Sequence, residues 1–188
     1  SNSGYALLAL VVEAVAGVPF AAFLDRNIFQ PLGMRDTVAY EPGRSTVSRR
    51  AYGYHATPAG FVRRDQSLTS AVLGDGGIYS STVDLYRWDQ ALYGAQLISR
   101  QTLREAFTPG VWVEPGRLGY GSGWFCETYR GRPTVWHYGS TTGFRTAIER
   151  FPEQQFTVIV LRNYDEPDGQ EMAAHTLARR LVDACLGT

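Results

Sequence analysis

The rhythm of apolar and polar positions changes once along this 188-residue chain, near Gly116. Before that point apolar residues recur at helical spacing, and after it they alternate as in strands. Ser1-Asn2-Ser3 can cap a first helix that runs to about Ala16 and stops at Gly17. Leu7, Leu8, Leu10, Val11, Val12 and Val15 cover nearly its whole circumference, which predicts a buried helix. Pro19 opens a second helix through Phe20, Phe23 and Leu24 to Phe29, ended by Pro31-Leu32-Gly33-Met34. From Thr37 to Gly77 the periodicity fails, apart from a short hairpin of Tyr52–Tyr54 against Phe61–Arg63; so long a loop is functional or disordered. A third helix begins at Ser81, with Asp84 as its capping-box partner and Leu85, Trp88 and Leu92 on its buried face. Ser99 starts a shorter one. Beyond Gly116, Tyr120–Tyr129, Pro133–Tyr138, Phe144–Phe151 and Phe156–Asn163 read as four antiparallel strands. The last of these is apolar on both faces, as in a central strand. A final helix from about Gly169 to Leu186 is expected to bury Ala174, Leu177, Leu181 and Cys185. The expected fold class is α+β, with a helical and loop part over residues 1–117 and an antiparallel sheet plus C-terminal helix over 118–188.

Composition narrows the chemistry. The net charge is zero, which gives no electrostatic case for nucleic acid or anionic membranes. All 18 basic residues are Arg, so no mechanism here draws on a lysine base. Cys126 and Cys185 form no metal or redox spacing, and their pairing is open. His55 and His175 lack ligand-spaced partners, Gly-x-Ser-x-Gly is absent, and Gly74-Asp-Gly-Gly77 reads as a turn rather than a phosphate loop. Arg49-Arg50 and Arg63-Arg64 read as solvated loop charges. The run from Tyr5 to Leu24 is broken by Glu13, Gly17 and Pro19, which favours a helix pair over a membrane span.

The chemistry concentrates in Trp136-His137-Tyr138-Gly139-Ser140-Thr141-Thr142-Gly143-Phe144, a strand, a glycine turn and the start of another strand. A glycine beside a polar turn allows close approach of a backbone N–H to a ligand, as an oxyanion site requires. The order His-x-Gly-x-x-x-Gly-Phe resembles the third motif of the serine β-lactamase and penicillin-binding-protein superfamily, in the form seen among class C-like hydrolases. Ser1-Asn2-Ser3-Gly4-Tyr5, Phe29-Gln-Pro-Leu-Gly-Met34, Gly76-Gly77-Ile78-Tyr79-Ser80-Ser81, Tyr120-Gly-Ser-Gly-Trp124 and Phe151-Pro152-Glu153 are similar to successive segments of that family. The resemblance implies a partial β-lactamase/transpeptidase-like fold and acyl transfer on an amide or ester, as in a β-lactamase, a D-amino-acid peptidase or an esterase. No metal or organic cofactor is implied.

Two family motifs are missing or incomplete. Ser-x-x-Lys cannot occur in a chain without Lys, and Asn2 matches the Asn of Tyr-x-Asn with the Tyr falling before Ser1. The resemblance therefore implies the C-terminal part of a serine hydrolase, inactive alone and partnered in the intact protein by a preceding segment and a small-molecule or peptide substrate. By the same carry-over Asn2 would contact substrate, or else serve as a plain helix cap. His137 would stand where many β-lactamases have Lys and orient substrate. Gly139 and the Ser140 N–H would form half an oxyanion hole. Tyr138, in place of a small hydroxyl residue, favours an esterase or peptidase over recognition of a β-lactam carboxylate. The rival reading is a noncatalytic relative that binds peptidoglycan-like or peptide ligands. Finally, Phe156–Asn163 is expected to present an open edge or bare face through which the chain self-associates.

Overall fold

The computed structural model describes residues 1–65, 72–165 and 170–187. They belong to two compact units that interleave in sequence. One holds Ser1–Trp88, Thr141–Phe144 and the residues from Asn163; the other holds Asp89–Ser140, Arg145–Arg162 and the C-terminal helix.

In the first unit α1, Asn2–Ala16, is capped by the Ser1 hydroxyl, which accepts from the Gly4 N–H, and ends at Gly17 in the left-handed conformation. The Glu13 carboxylate leaves that helix to accept from the Phe20 N–H at 2.7 Å, satisfying an orphan donor at the start of α2, Phe20–Leu24. This accounts for the one charge in an apolar stretch. The helical path continues past α2 through a π-helical turn, Asp25–Phe29, and α3, Gln30–Leu32, so it stops at Gly33 rather than Phe29. Among the described residues no single helix is long and apolar enough to cross a membrane, and α1 is bent by 76° from the helical stretch after it. Leu24, Phe29, Met34 and Ala39 form this unit's core.

The expectation of a buried α1 is overturned. Only Ala9 is buried, while Leu7, Leu8, Leu10 and Val11 are more than half exposed and Val15 is 84% exposed. Helical periodicity records that a face is apolar, and a separate surface must be present to cover it. Over 37–77 the expected hairpin is present, with its first strand shifted to later residues, and a second strand pairing accompanies it. β1, Val38–Ala39, pairs with β4, Ile78–Tyr79, and β2, Tyr54–Thr57, forms a hairpin with β3, Gly60–Arg63. Residues 66–71 of that expected loop lie outside the described set. Arg50 is not a solvated charge: it pairs with Asp65 and stands over the rings of Tyr52 and Tyr79.

β11, Tyr164–Asp165, runs parallel beside β2, a pairing that the sequence does not signal. At the start of α4, Thr82–Ala91, Ser81 caps the Asp84 N–H as expected. The Asp84 carboxylate, however, is fully buried and accepts from the Asp36 N–H, the Thr37 hydroxyl and Arg87 instead of closing a capping box.

The second unit is built on one antiparallel sheet in the order β10-β9-β8-β7-β6-β5. α5, Arg100–Ala106, precedes it with a Ser99 cap. The strands are β5, Val111–Glu114; β6, Leu118–Tyr120; β7, Phe125–Tyr129; β8, Arg132–Thr141; β9, Phe144–Phe151; and β10, Phe156–Arg162. Two strands more than expected are present. Tyr120–Tyr129 is split because a Cβ on Gly121 would lie 2.2 Å from the Ala106 carbonyl oxygen and Gly123 takes a positive φ, which together make a turn. β5 was hidden because all four of its residues are exposed and give no alternation.

Among the described residues β10 has β9 as its strand neighbour and stands at the end of the sheet, as the expected open edge at Phe156–Asn163 has it. Val158 and Val160 are buried with Ala147 and Phe151 beneath α6, Ala173–Leu186. The buried face of α6 is Ala174, His175, Ala178 and Val182, whereas Leu177, Leu181 and Cys185 are exposed. The expected face was turned because two alanines let the helix approach and His175 stacks on Trp136 with centroids 3.8 Å apart. The expected start of this helix at Gly169 lies outside the described residues. Cys126 and Cys185 are both free thiols.

Candidate functional site

β8 carries the candidate chemistry, and its pairing is uneven along its length. Its register with β7 runs from Tyr129↔Arg132 to Phe125↔Trp136 and ends there. From His137 to Ser140, among the described residues, the β7 ladder no longer reaches β8, whose other neighbour in the sheet is β9. The main-chain groups along such an edge are those a strand normally gives to a neighbour, which is the chemistry an extended ligand can use. Gly139 lies on this stretch, and a Cβ there would meet Thr146 Oγ1 of β9 at 2.5 Å. A Cβ at 139 would therefore force the Thr146 side chain to move, independently of any ligand. Ser140, the next residue, is exposed.

His137 is half-buried, and both of its ring nitrogens are engaged. Nδ1 lies 2.8 Å from the Tyr138 carbonyl oxygen, and Nε2 lies 3.1 Å from the Tyr120 hydroxyl. A carbonyl oxygen only accepts, so Nδ1 carries the proton and, in the neutral ring, Nε2 accepts from Tyr120. Burial lowers the His137 pKa below the ordinary histidine value, against the opposing pull of the Tyr138 carbonyl. The ring is surrounded by Phe125, Tyr120 and Tyr138, with centroids 5.5 to 6.0 Å away. His137 is thus a neutral imidazole at neutral pH.

Tyr138 is partly buried and packs against the apolar cluster beneath α6. Strand alternation explains this: Tyr138 shares its face with Trp136, whose ring stacks on His175 of α6. Asn2 is exposed in the first turn of α1, and the cap there is Ser1. It belongs to the first unit, while His137, Tyr138, Gly139 and Ser140 belong to the second.

Two further residues bear on this site through partners that no local stretch of sequence signals. Tyr120 sits in a recognisable Tyr-Gly-Ser-Gly-Trp run, but its reach to His137 depends on β6 lying two strands from β8. Asp165 accepts from the Gly143 N–H through Oδ2 and pairs through Oδ1 with His55 Nδ1, fastening the turn between β8 and β9. Gly143 has a φ of 74°, and a Cβ there would fall 2.0 Å from the Arg64 carbonyl oxygen, so only glycine fits. No cluster of three or more metal-ligating side chains occurs among the described residues.

The family model described as Beta-lactamase matches residues 1–182. The chain belongs to the β-lactamase family. A penicillin-binding protein of Bacillus subtilis is 32% identical over 97% of this chain, and the match covers 43% of that protein. The D-alanyl-D-alanine-carboxypeptidase/endopeptidase AmpH of Escherichia coli is 29% identical over 86% of this chain and 44% of its own length. Among solved structures, the octameric penicillin-binding protein homologue from Pyrococcus abyssi superposes with a TM-score of 0.83 at 25% identity, over 98% of this chain and 42% of its own. The chain thus spans less than half the length of these relatives, and its α+β architecture is that part of the β-lactamase/transpeptidase-like fold.

Proposed function

We propose that this chain supplies the strand edge and C-terminal packing of a serine hydrolase that transfers acyl groups from an amide or ester, and that it is inactive by itself. The observation that supports the reading is the stretch His137–Ser140 of β8, which carries the family motif and which, among the described residues, lies beyond the end of the β7 ladder. There the N–H of Ser140, beside Gly139, is placed as one donor for a developing oxyanion. One such donor is worth about 2.7–4 kcal/mol of transition-state stabilisation, which cannot replace a nucleophile and its base. The chain has no Lys and so no Ser-x-x-Lys pair. A neutral His137 offers no fixed positive charge to a substrate carboxylate. This favours esters and neutral amides, including those of D-amino acids, over β-lactams.

The test uses intact-mass spectrometry with a fluorophosphonate and a penicillin. The chain alone is expected to gain no serine adduct. A longer polypeptide in which a Ser-x-x-Lys segment and a Tyr precede Ser1 is expected to gain one and to cleave esters faster than β-lactams. A stoichiometric adduct on the chain alone overturns the inactivity, and no adduct on the longer polypeptide overturns the hydrolase reading in favour of a noncatalytic binding protein.

A further inference from the structure

We propose that Tyr120 is the positioning residue of His137: its hydroxyl holds Nε2 as a hydrogen-bonded acceptor, so that the imidazole is a fixed neutral group and not a substrate-binding cation. The proposal deepens the hydrolase reading above and rests on it for the meaning of His137, though the hydrogen bond itself stands on geometry alone.

The geometry leaves the ring little choice. Nδ1 is committed to the Tyr138 carbonyl, 2.8 Å away within the same strand, and that oxygen has no proton to give. The proton on the neutral ring is therefore at Nδ1, and Nε2 presents a lone pair. The group facing that lone pair at 3.1 Å is a phenol, which donates. Each end of the imidazole thus meets a partner of matching character. An imidazole held this way has neither nitrogen spare for a substrate unless Tyr120 gives up its bond.

Tyr120 is itself held in place. It is the last residue of β6, registered opposite Phe125 of β7, and its ring meets the Phe125 ring edge-on with centroids 4.9 Å apart. Phe125 in turn stacks on Trp136 at 4.4 Å, the residue immediately before His137. Just after Tyr120 the chain turns sharply: the Gly121 N–H donates to the Trp124 carbonyl, and the Ser122 N–H to that of Ala106. The turn brings the end of β6 level with the end of the β7–β8 ladder, which is where His137 emerges. A tyrosine one residue earlier or later in β6 would point to the other face of the sheet.

A merely structural tyrosine would fill space and leave the electronic state of His137 alone. Under the present proposal, replacing it changes what Nε2 meets. The test is two-bond 15N–1H correlation NMR on the chain as it stands, with 15N-labelled histidine and His137 assigned by its Gln variant. In the native chain at neutral pH, His137 is expected as the Nδ1–H tautomer, with Nε2 shifted from the position of a bare lone pair toward that of a hydrogen-bonded one. In Tyr120→Phe the Nε2 resonance is expected to move, either to the bare lone-pair position or, if the ring turns over, to that of a protonated nitrogen. An unmoved Nε2 resonance in a folded Tyr120→Phe chain overturns the proposal. If that variant does not fold, the native spectrum still decides, since a neutral His137 protonated at Nε2 would refute the proposal. The measurement needs no substrate, so absence of acylation in the longer polypeptide sinks the hydrolase reading and leaves the Tyr120–His137 pairing to be judged by its own spectrum.

Discussion

Two buried groups show how much at the residue scale depends on partners far away in sequence. Arg150 is fully buried, with Nε on Asp89 and its guanidinium over the rings of Tyr93 and Phe107 at 4.8 and 5.5 Å. Asp89 also accepts from the Thr157 hydroxyl at 2.8 Å. Removing one member of such a pair strands the other charge out of water, at a cost of about 3–5 kcal/mol. Arg150→Met is therefore expected to lower unfolding free energy by that amount in urea titrations, and adding Asp89→Leu is expected to recover part of the loss. His137 makes a pH-dependent contribution. Its folded pKa is lowered by burial, so between the folded value and the unfolded one of about 6.5 the unfolded chain binds more protons. The stabilisation is complete above that pH and is lost as pH falls through the folded pKa. Unfolding midpoints measured from pH 8 to 5 are expected to fall more steeply for the native chain than for His137→Gln.

At the scale of elements, α1 and α6 treat their apolar residues differently. α6 sets two alanines against the sheet and leaves Leu177 and Leu181 exposed, because the stack of His175 on Trp136 decides its rotation. Arg179 adds to that choice by joining Glu127 and the buried Glu149, both on the sheet. α1 is apolar nearly all round, and covering one of its exposed leucines or valines would yield about 1.5–3 kcal/mol. These residues add little to the fold as it stands. The double change Val11→Gln with Val15→Gln is expected to alter unfolding free energy by no more than about 0.5 kcal/mol per site, while reducing binding of a hydrophobic dye. A large loss of stability would mean that the face is covered in solution.

For the whole molecule, the sheet ends are the consequential feature. Among the described residues β10 has one strand neighbour, and such a backbone edge is a template for another strand. We propose that the chain self-associates through Phe156–Arg162, pairing β10 with that of a second copy. Light scattering at high concentration is expected to show dimers or larger species, and Ile159→Lys or Leu161→Lys to shift them toward monomer. A native chain that stays monomeric at high concentration refutes the pairing.

The sequence by itself determined the local events, because these depend on neighbours within a few residues. The Ser1, Ser81 and Ser99 caps, the Gly17 stop, the change to strands after Gly116 and the glycine turn at Gly143 were all legible from it. So was the His-x-Gly stretch that points to the family. Tertiary structure decided what each element meets. It showed α1 uncovered, turned α6 on its axis, put β10 at an edge, drew Tyr138 under α6 and gave His137 a phenol as its partner. None of these has a local signature. Periodicity encodes which side of an element is apolar, but the surface facing that side is built from residues tens of positions away. Tyr120 reaches His137 across 17 residues, and Asp165 reaches Gly143 across 22 and His55 across 110. Such distances are closed by sheet order and register, which no single stretch of sequence contains.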